Sequence, residues 1–249
     1  MQNTQNSFKI IGETLPMQHI IMDLKLFDVQ MFAAISPNVN WCNNSYWHYT
    51  KNLYQKYSNQ VHLSAVSSEI GFNKEYLHSP HLIGGAAILT LGLWVSKVIS
   101  VTHDNRGHGV FTATTLLGKN HQKLTFISAY ISVKKGTDMG TESMYAQQMT
   151  LYERACLKSK AKIEPFCPRK NAIKILDSYI QLLQQEGHGI ILMLDANQAF
   201  SDCYNSSDVK PFTIEWLKIT RGLLDPFIQN IGSHPPSTTH SPNRDIDYV

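Results

Sequence analysis

Cysteine is scarce. Four residues, Cys42, Cys156, Cys167 and Cys203, are spread over 249 positions, too far apart for a zinc pattern and too few to require disulfides in a chain of this size. They read as reduced structural residues. Net charge is also small, with 22 basic and 19 acidic residues giving +3, so no basic tail announces nucleic-acid binding, although a local basic groove stays open. No apolar run approaches a membrane span. The N-terminus, M-Q-N-T-Q-N-S-F-K-I-I-G, lacks the charged start, apolar centre and small-residue cleavage site of a secretory signal. The expectation is a soluble, intracellular protein with no membrane partner. No internal repeat and no low-complexity segment is present.

What is there suggests one large core. The apolar content is 43%, and short apolar runs scattered along the chain suggest a single domain over residues 1–249. The run around which the rest is organised is Gly189 to Phe200, G-I-I-L-M-L-D-A-N-Q-A-F. Ile190 to Leu194 form an unbroken apolar stretch, which predicts a strand buried on both faces. It ends in Asp195, Ala196 and Asn197. On an extended backbone, residues two apart leave the same side, so one cleft could hold the carboxylate and the carboxamide. Such a pair suits a site that positions a water or metal and hydrogen-bonds a phosphate oxygen. For an isolated D-x-N, however, the commoner reading is that either side chain caps the segment just beyond the strand.

Other elements are predicted from spacing. Ile20, Ile21, Leu24 and Phe27 after Pro16 predict a helix, and Val29 to Ile35 a buried strand closed by Ser36-Pro37-Asn38. Tyr46, Tyr49, Leu53 and Tyr57 share a helical stripe, better suited to core packing than to a stacking platform for bases. Val61 to Val66 and Gly84 to Gly92 predict strands, with Gly84-Gly85 permitting close backbone approach. Val95 to Val101 and Val110 to Leu117 predict an antiparallel pair joined by D-N-R-G-H-G. There Arg106 and His108 could meet phosphate, or the turn could be a solvated hairpin. Lys123 to Tyr130 predicts a strand ending in a phenol. Tyr145, Met149, Tyr152 and Cys156 mark a helix, Pro168 starts another, and Pro211 a short last one. The pattern predicts mixed sheets covered by helices.

The motifs G-G-A-A-I-L at 84–89, D-N-R-G-H-G-V at 104–110, L-T-F-I-S-A-Y at 124–130, M-L-D-A-N-Q at 193–198 and R-D-I-D-Y-V at 244–249, in this order, resemble the endonuclease/exonuclease/phosphatase superfamily. Within it, the chain is most similar to the endonuclease domains of non-LTR retrotransposons. The resemblance implies an α/β (α+β) fold, a four-layered sandwich of two mixed β-sheets flanked by helices. It implies hydrolysis of nucleic-acid phosphodiesters, with DNA as partner and Mg2+ as cofactor. A reverse transcriptase or other domain of a longer element is a further implied partner. By the same resemblance Tyr130 bonds the scissile phosphate, Asp195 orients or deprotonates water, Asn197 binds phosphate, and Asp247 begins the last catalytic region.

Three departures stand against these matches. The family's metal-binding glutamate, often in Glu-Pro-Asn, corresponds to Ser36 in Ser36-Pro37-Asn38, and a neutral hydroxyl is a poor magnesium ligand. The family's final Ser-Asp-His segment has no counterpart after Asp247, and the first family strand is hard to place before Pro16, Asn6 being a faint candidate. Both ends look clipped. The expectation is therefore an impaired magnesium-dependent nuclease. A non-catalytic remnant binding nucleic acid through Arg106, Lys134 and Lys135 stays open, as does a phosphatase of the same superfamily.

Overall fold

Short apolar segments, several of them alternating, build two sheets. The computed structural model describes residues 20, 22–24, 26–56, 58–133, 143–197, 211–224 and 247–248. Strands β1 (Met31–Ile35), β2 (Val61–Val66) and β3 (Ala86–Leu91) form the first sheet, antiparallel in the order β1-β3-β2. Strands β4 (Val98–His103), β5 (Phe111–Leu117), β6 (Lys123–Tyr130), β7 (Gly189–Asp195) and β8 (Asp247–Tyr248) form the second, in chain order. All its pairings are antiparallel except β6 with β7, which is parallel.

Helices cover the outer faces, each bounded by local signals. Helix α1 (Asn44–Gln55) starts where the Asn43 side chain accepts from Ser45 N. Helix α2 (Met144–Ser159) is capped by Ser143 and ends at Lys160 in the left-handed region. Pro168 opens α3 (Pro168–Gln185), and Thr213 caps α4 (Ile214–Arg221). Leu53 and Tyr54 of α1 pack with Leu63, Ala87 and Leu89, while Ile173, Leu176 and Ile180 of α3 pack with Ala113, Ile127 and Leu194. Between the sheets, Ile88, Leu116 and Phe126 meet in a smaller cluster. The result is the expected sandwich of two sheets flanked by helices.

Several expectations shift. The β7 run is not buried on both faces: Leu194 is buried, but Ile191 is 41% exposed. Only Leu194 and Asp195 have a partner in β8, so among the described residues most of the strand is paired on the β6 side alone. In α1, Tyr49 is exposed and Tyr54 takes the inward place. The buried side of α2 carries Met144, Gln147, Gln148 and Cys156 in place of Tyr145, Met149 and Tyr152. Gln147 and Gln148 belong inside because their amides reach the Ile83 and His108 carbonyls, at 3.1 and 3.2 Å. Phe27 lies in a turn and is exposed. A short 3-10 helix at Gly92–Lys97 delays β4 to Val98. Cys42, Cys156 and Cys167 are free thiols. Asn6, Pro16, Tyr57, Lys134, Lys135 and Cys203 lie outside the described residues.

Candidate active site

The ends of β1, β6 and β7 meet here. After β1 the chain bends through Ser36 and Asn38, both at positive φ (52° and 56°). Gly84 and Gly85, also at positive φ, hold the bend: Ser36 N donates to Gly85 O (2.9 Å), Asn38 N to Gly84 O (3.2 Å), and Gly84 N to Asn38 Oδ1 (2.9 Å). A Cβ on Gly85 would lie 2.8 Å from Val66 O, so the close backbone approach inferred from this pair is present.

Tyr130 and Asp195 end β6 and β7 in register. Ile131 N donates to Asp195 O (2.9 Å), and Asn197 Nδ2 donates to Ile131 O (2.8 Å). Asn197 is not extended: its φ is 45°, and its N–H donates to Asp195 Oδ1 at 3.0 Å. The two side chains thus come together through a tight turn in which the carboxylate caps the backbone, not through the pleat. The local-cap reading of Asp195 is the one this turn shows.

The Tyr130 hydroxyl is where the pieces join, hydrogen-bonding the side chains of Asn197 and Ser36. Burial, followed by the charge of Asp195, pushes the phenol up to about 12, against the opposing effect of those two bonds and of Arg169. At neutral pH it is a protonated donor. Ser36 Oγ also lies 3.4 Å from Asn38 Oδ1. Tyr130, Asp195, Asn197 and Ser36 therefore form one cluster. Asp247 pairs with Asp195 in the β7–β8 ladder, which places its backbone beside the cluster.

Arg169 is the residue that sequence reasoning missed. It sits in the first turn of α3, is only 7% exposed, and donates through Nη1 to Ser132 O (3.0 Å) and Asn197 O (3.5 Å). It therefore ties together the loops that leave β6 and β7. Pro168 marked the helix start, but nothing in the spacing distinguishes a buried arginine from a solvated one there.

The D-N-R-G-H-G turn is not a solvated hairpin. Asp104 is buried and accepts from the N–H groups of Arg106, His108 and Val110, at 2.9, 3.0 and 3.3 Å. His108 turns inward with its ring against Phe166. Burial lowers its pKa, an effect partly offset by Asp104. Arg106 remains exposed and donates to Asn171 Oδ1 (3.2 Å).

Two solved structures share this architecture. The human Nocturnin catalytic domain with bound sulfate anion aligns over 92% of this chain and 71% of its own, with TM-score 0.51 and 12% identity. The Xenopus laevis APE2 catalytic domain aligns over 98% and 77%, with TM-score 0.53 and 10% identity. What they share with this chain is the fold, a sandwich of two sheets flanked by helices, consistent with the fold expected from the endonuclease/exonuclease/phosphatase resemblance. No protein-family model and no curated protein matches the sequence. Among the described residues no helix is long and apolar enough to cross a membrane.

Proposed function

We propose that this chain is an endonuclease/exonuclease/phosphatase-type domain of the non-LTR retrotransposon kind, directed at nucleic-acid phosphodiesters, with its hydrolytic activity impaired at Ser36. The observation that carries this reading is the meeting of the Tyr130 hydroxyl with Asn197 and Ser36 beside the Asp195 carboxylate. In that arrangement Asp195 is the one described side chain of the cluster able to accept a proton from an attacking water. Tyr130 is a neutral donor for a phosphate oxygen. Arg169 fixes the loops that carry Asn197 and Ser132.

Magnesium does not fit this donor set. It favours anionic oxygen ligands in octahedral array. Among the described side chains the cluster offers one carboxylate, whose Oδ1 already accepts from Asn197 N, plus a serine hydroxyl, a phenol and amides. No group of three or more His, Cys, Asp or Glu side chains is placed to hold an ion among the described residues. That donor set supports impaired hydrolysis, or a remnant that binds without cleaving.

Nicking of supercoiled plasmid in magnesium buffer separates these outcomes. The parent should cleave weakly, Asp195→Ala should abolish cleavage, and Ser36→Glu should raise it at least about tenfold by restoring an anionic ligand. Equal cleavage by the parent and Asp195→Ala would remove this site from the chemistry. Folded variants that are all silent would leave the binding remnant as the working function.

A further inference from the structure

We infer that the cluster of Tyr130, Ser36, Asn197 and Arg169 holds a phosphate group of a nucleic-acid strand without any divalent cation, the buried guanidinium of Arg169 supplying the positive charge. The inference rests on the proposed nucleic-acid reading of the same site. It departs from that reading in the way the charge of the phosphate is balanced.

Charge decides whether an anion can enter at all. With a glutamate at position 36, the cluster would hold two carboxylates against one guanidinium and would repel an anion until a cation entered. Ser36 removes one of those negative charges. Among the described side chains that leaves Asp195 and Arg169, one of each sign, both acting on the Tyr130 hydroxyl. Counted over the described side chains, the cluster is then neutral where a glutamate would make it net negative.

Donors and rigidity act in the same direction. The Tyr130 phenol stays protonated, and the Ser36 hydroxyl is a neutral donor in place of an anionic acceptor. Arg169 is held by two main-chain carbonyls at the positive end of an 18-residue helix, so its charge and the helix dipole act from one direction. α3 has no acidic residue in its first turn, and its N-cap, Cys167, makes no side-chain cap. That end of the helix is not neutralised from within its own first turn.

The probe is a fluorescein-labelled single-stranded oligodeoxynucleotide followed by fluorescence anisotropy, in EDTA and in magnesium, with inorganic phosphate as competitor. The parent should bind equally well in both buffers, and phosphate should compete. Ser36→Glu should lose about tenfold in EDTA and recover in magnesium, as expected when a second carboxylate faces the phosphate. Tyr130→Phe and Arg169→Met should each weaken binding in both buffers, with Arg169→Lys intermediate. If Arg169→Met does not fold, the metal dependence of Ser36→Glu decides the matter alone.

A parent that binds only with magnesium, or a Ser36→Glu variant that binds equally in EDTA, overturns the inference. The nuclease reading fails separately. A parent that needs magnesium to bind yet nicks plasmid keeps that reading and sinks this one. A parent that binds in EDTA, and whose Ser36→Glu form never nicks, does the reverse.

Discussion

Gly109 shows how one position can be fixed by its neighbours more than by its own turn. Its φ is +68°, and an added Cβ would lie 2.5 Å from Ser68 N and 2.7 Å from Ser67 C. Backbone cannot yield as a flexible side chain can. Gly187 has a similar φ of +73° with nothing within 4 Å, so it provides the control. Gly187→Ala should cost about 1 kcal/mol, the ordinary left-handed penalty. Gly109→Ala should cost at least about 3 kcal/mol because the hairpin must also lift from the Ser67-Ser68 backbone. Urea unfolding of both variants checks the contrast, and equal losses would show that the hairpin does not dock on that backbone. A turn glycine was legible in D-N-R-G-H-G, but its docking partner was not, because Ser67 and Ser68 are distant in sequence. Ser36, Tyr130, Asp195 and Asn197 were legible as polar residues ending apolar runs. Arg169 was not, because burial of a helix-start arginine depends on carbonyls supplied by two other segments.

Helix α4 is tied to α3 by Arg221 and Asp177, whose side chains are each 14% exposed. The Gln184 amide donates to Arg221 O at 2.7 Å. A double-mutant cycle with Asp177→Asn and Arg221→Met should return a coupling of about 1 kcal/mol, the upper end for a pair still reached by water. A coupling near zero would leave the packing of Leu217 and Ile214 as what holds α4 in place. Element type was largely readable, since β2 and β6 have the bounds their alternation predicts and Pro168 opens α3. The faces were read less well. β7 looked fully buried because an apolar run records composition and not what covers each face, whereas among the described residues Ile191 is left exposed. The stripe on α2 was displaced because Gln147 and Gln148, polar by type, satisfy carbonyls inside.

Acid should weaken the whole molecule through two histidines that folding takes from water, His108, which is buried, and His62, which is half-buried. Desolvation lowers the pKa of both below the usual 6.5, helped at His62 by Lys51 and opposed at His108 by Asp104. On unfolding, each regains the ordinary value, so below 6.5 the unfolded chain binds more protons than the folded one. Stability is therefore fully present above about pH 6.5 and declines as pH falls toward the lowered folded values. The urea midpoint should drop between about pH 7.5 and about pH 5.5, and a midpoint that stays level or rises would contradict the burial of these rings. The parallel pairing of β6 with β7 bears also on how the protein comes into being. Both sheets need a long closure, β1 meeting β3 (Met31 with Thr90) and β6 meeting β7 (Leu124 with Gly189) across on the order of sixty residues, of the kind that slows folding. On the ribosome, the first sheet can assemble while Tyr130 still lacks Asp195 and Asn197. The cluster proposed to recognise a phosphate forms only once β7 and its turn have joined β6, so a product truncated before Asp195 could hold the first sheet and none of this chemistry.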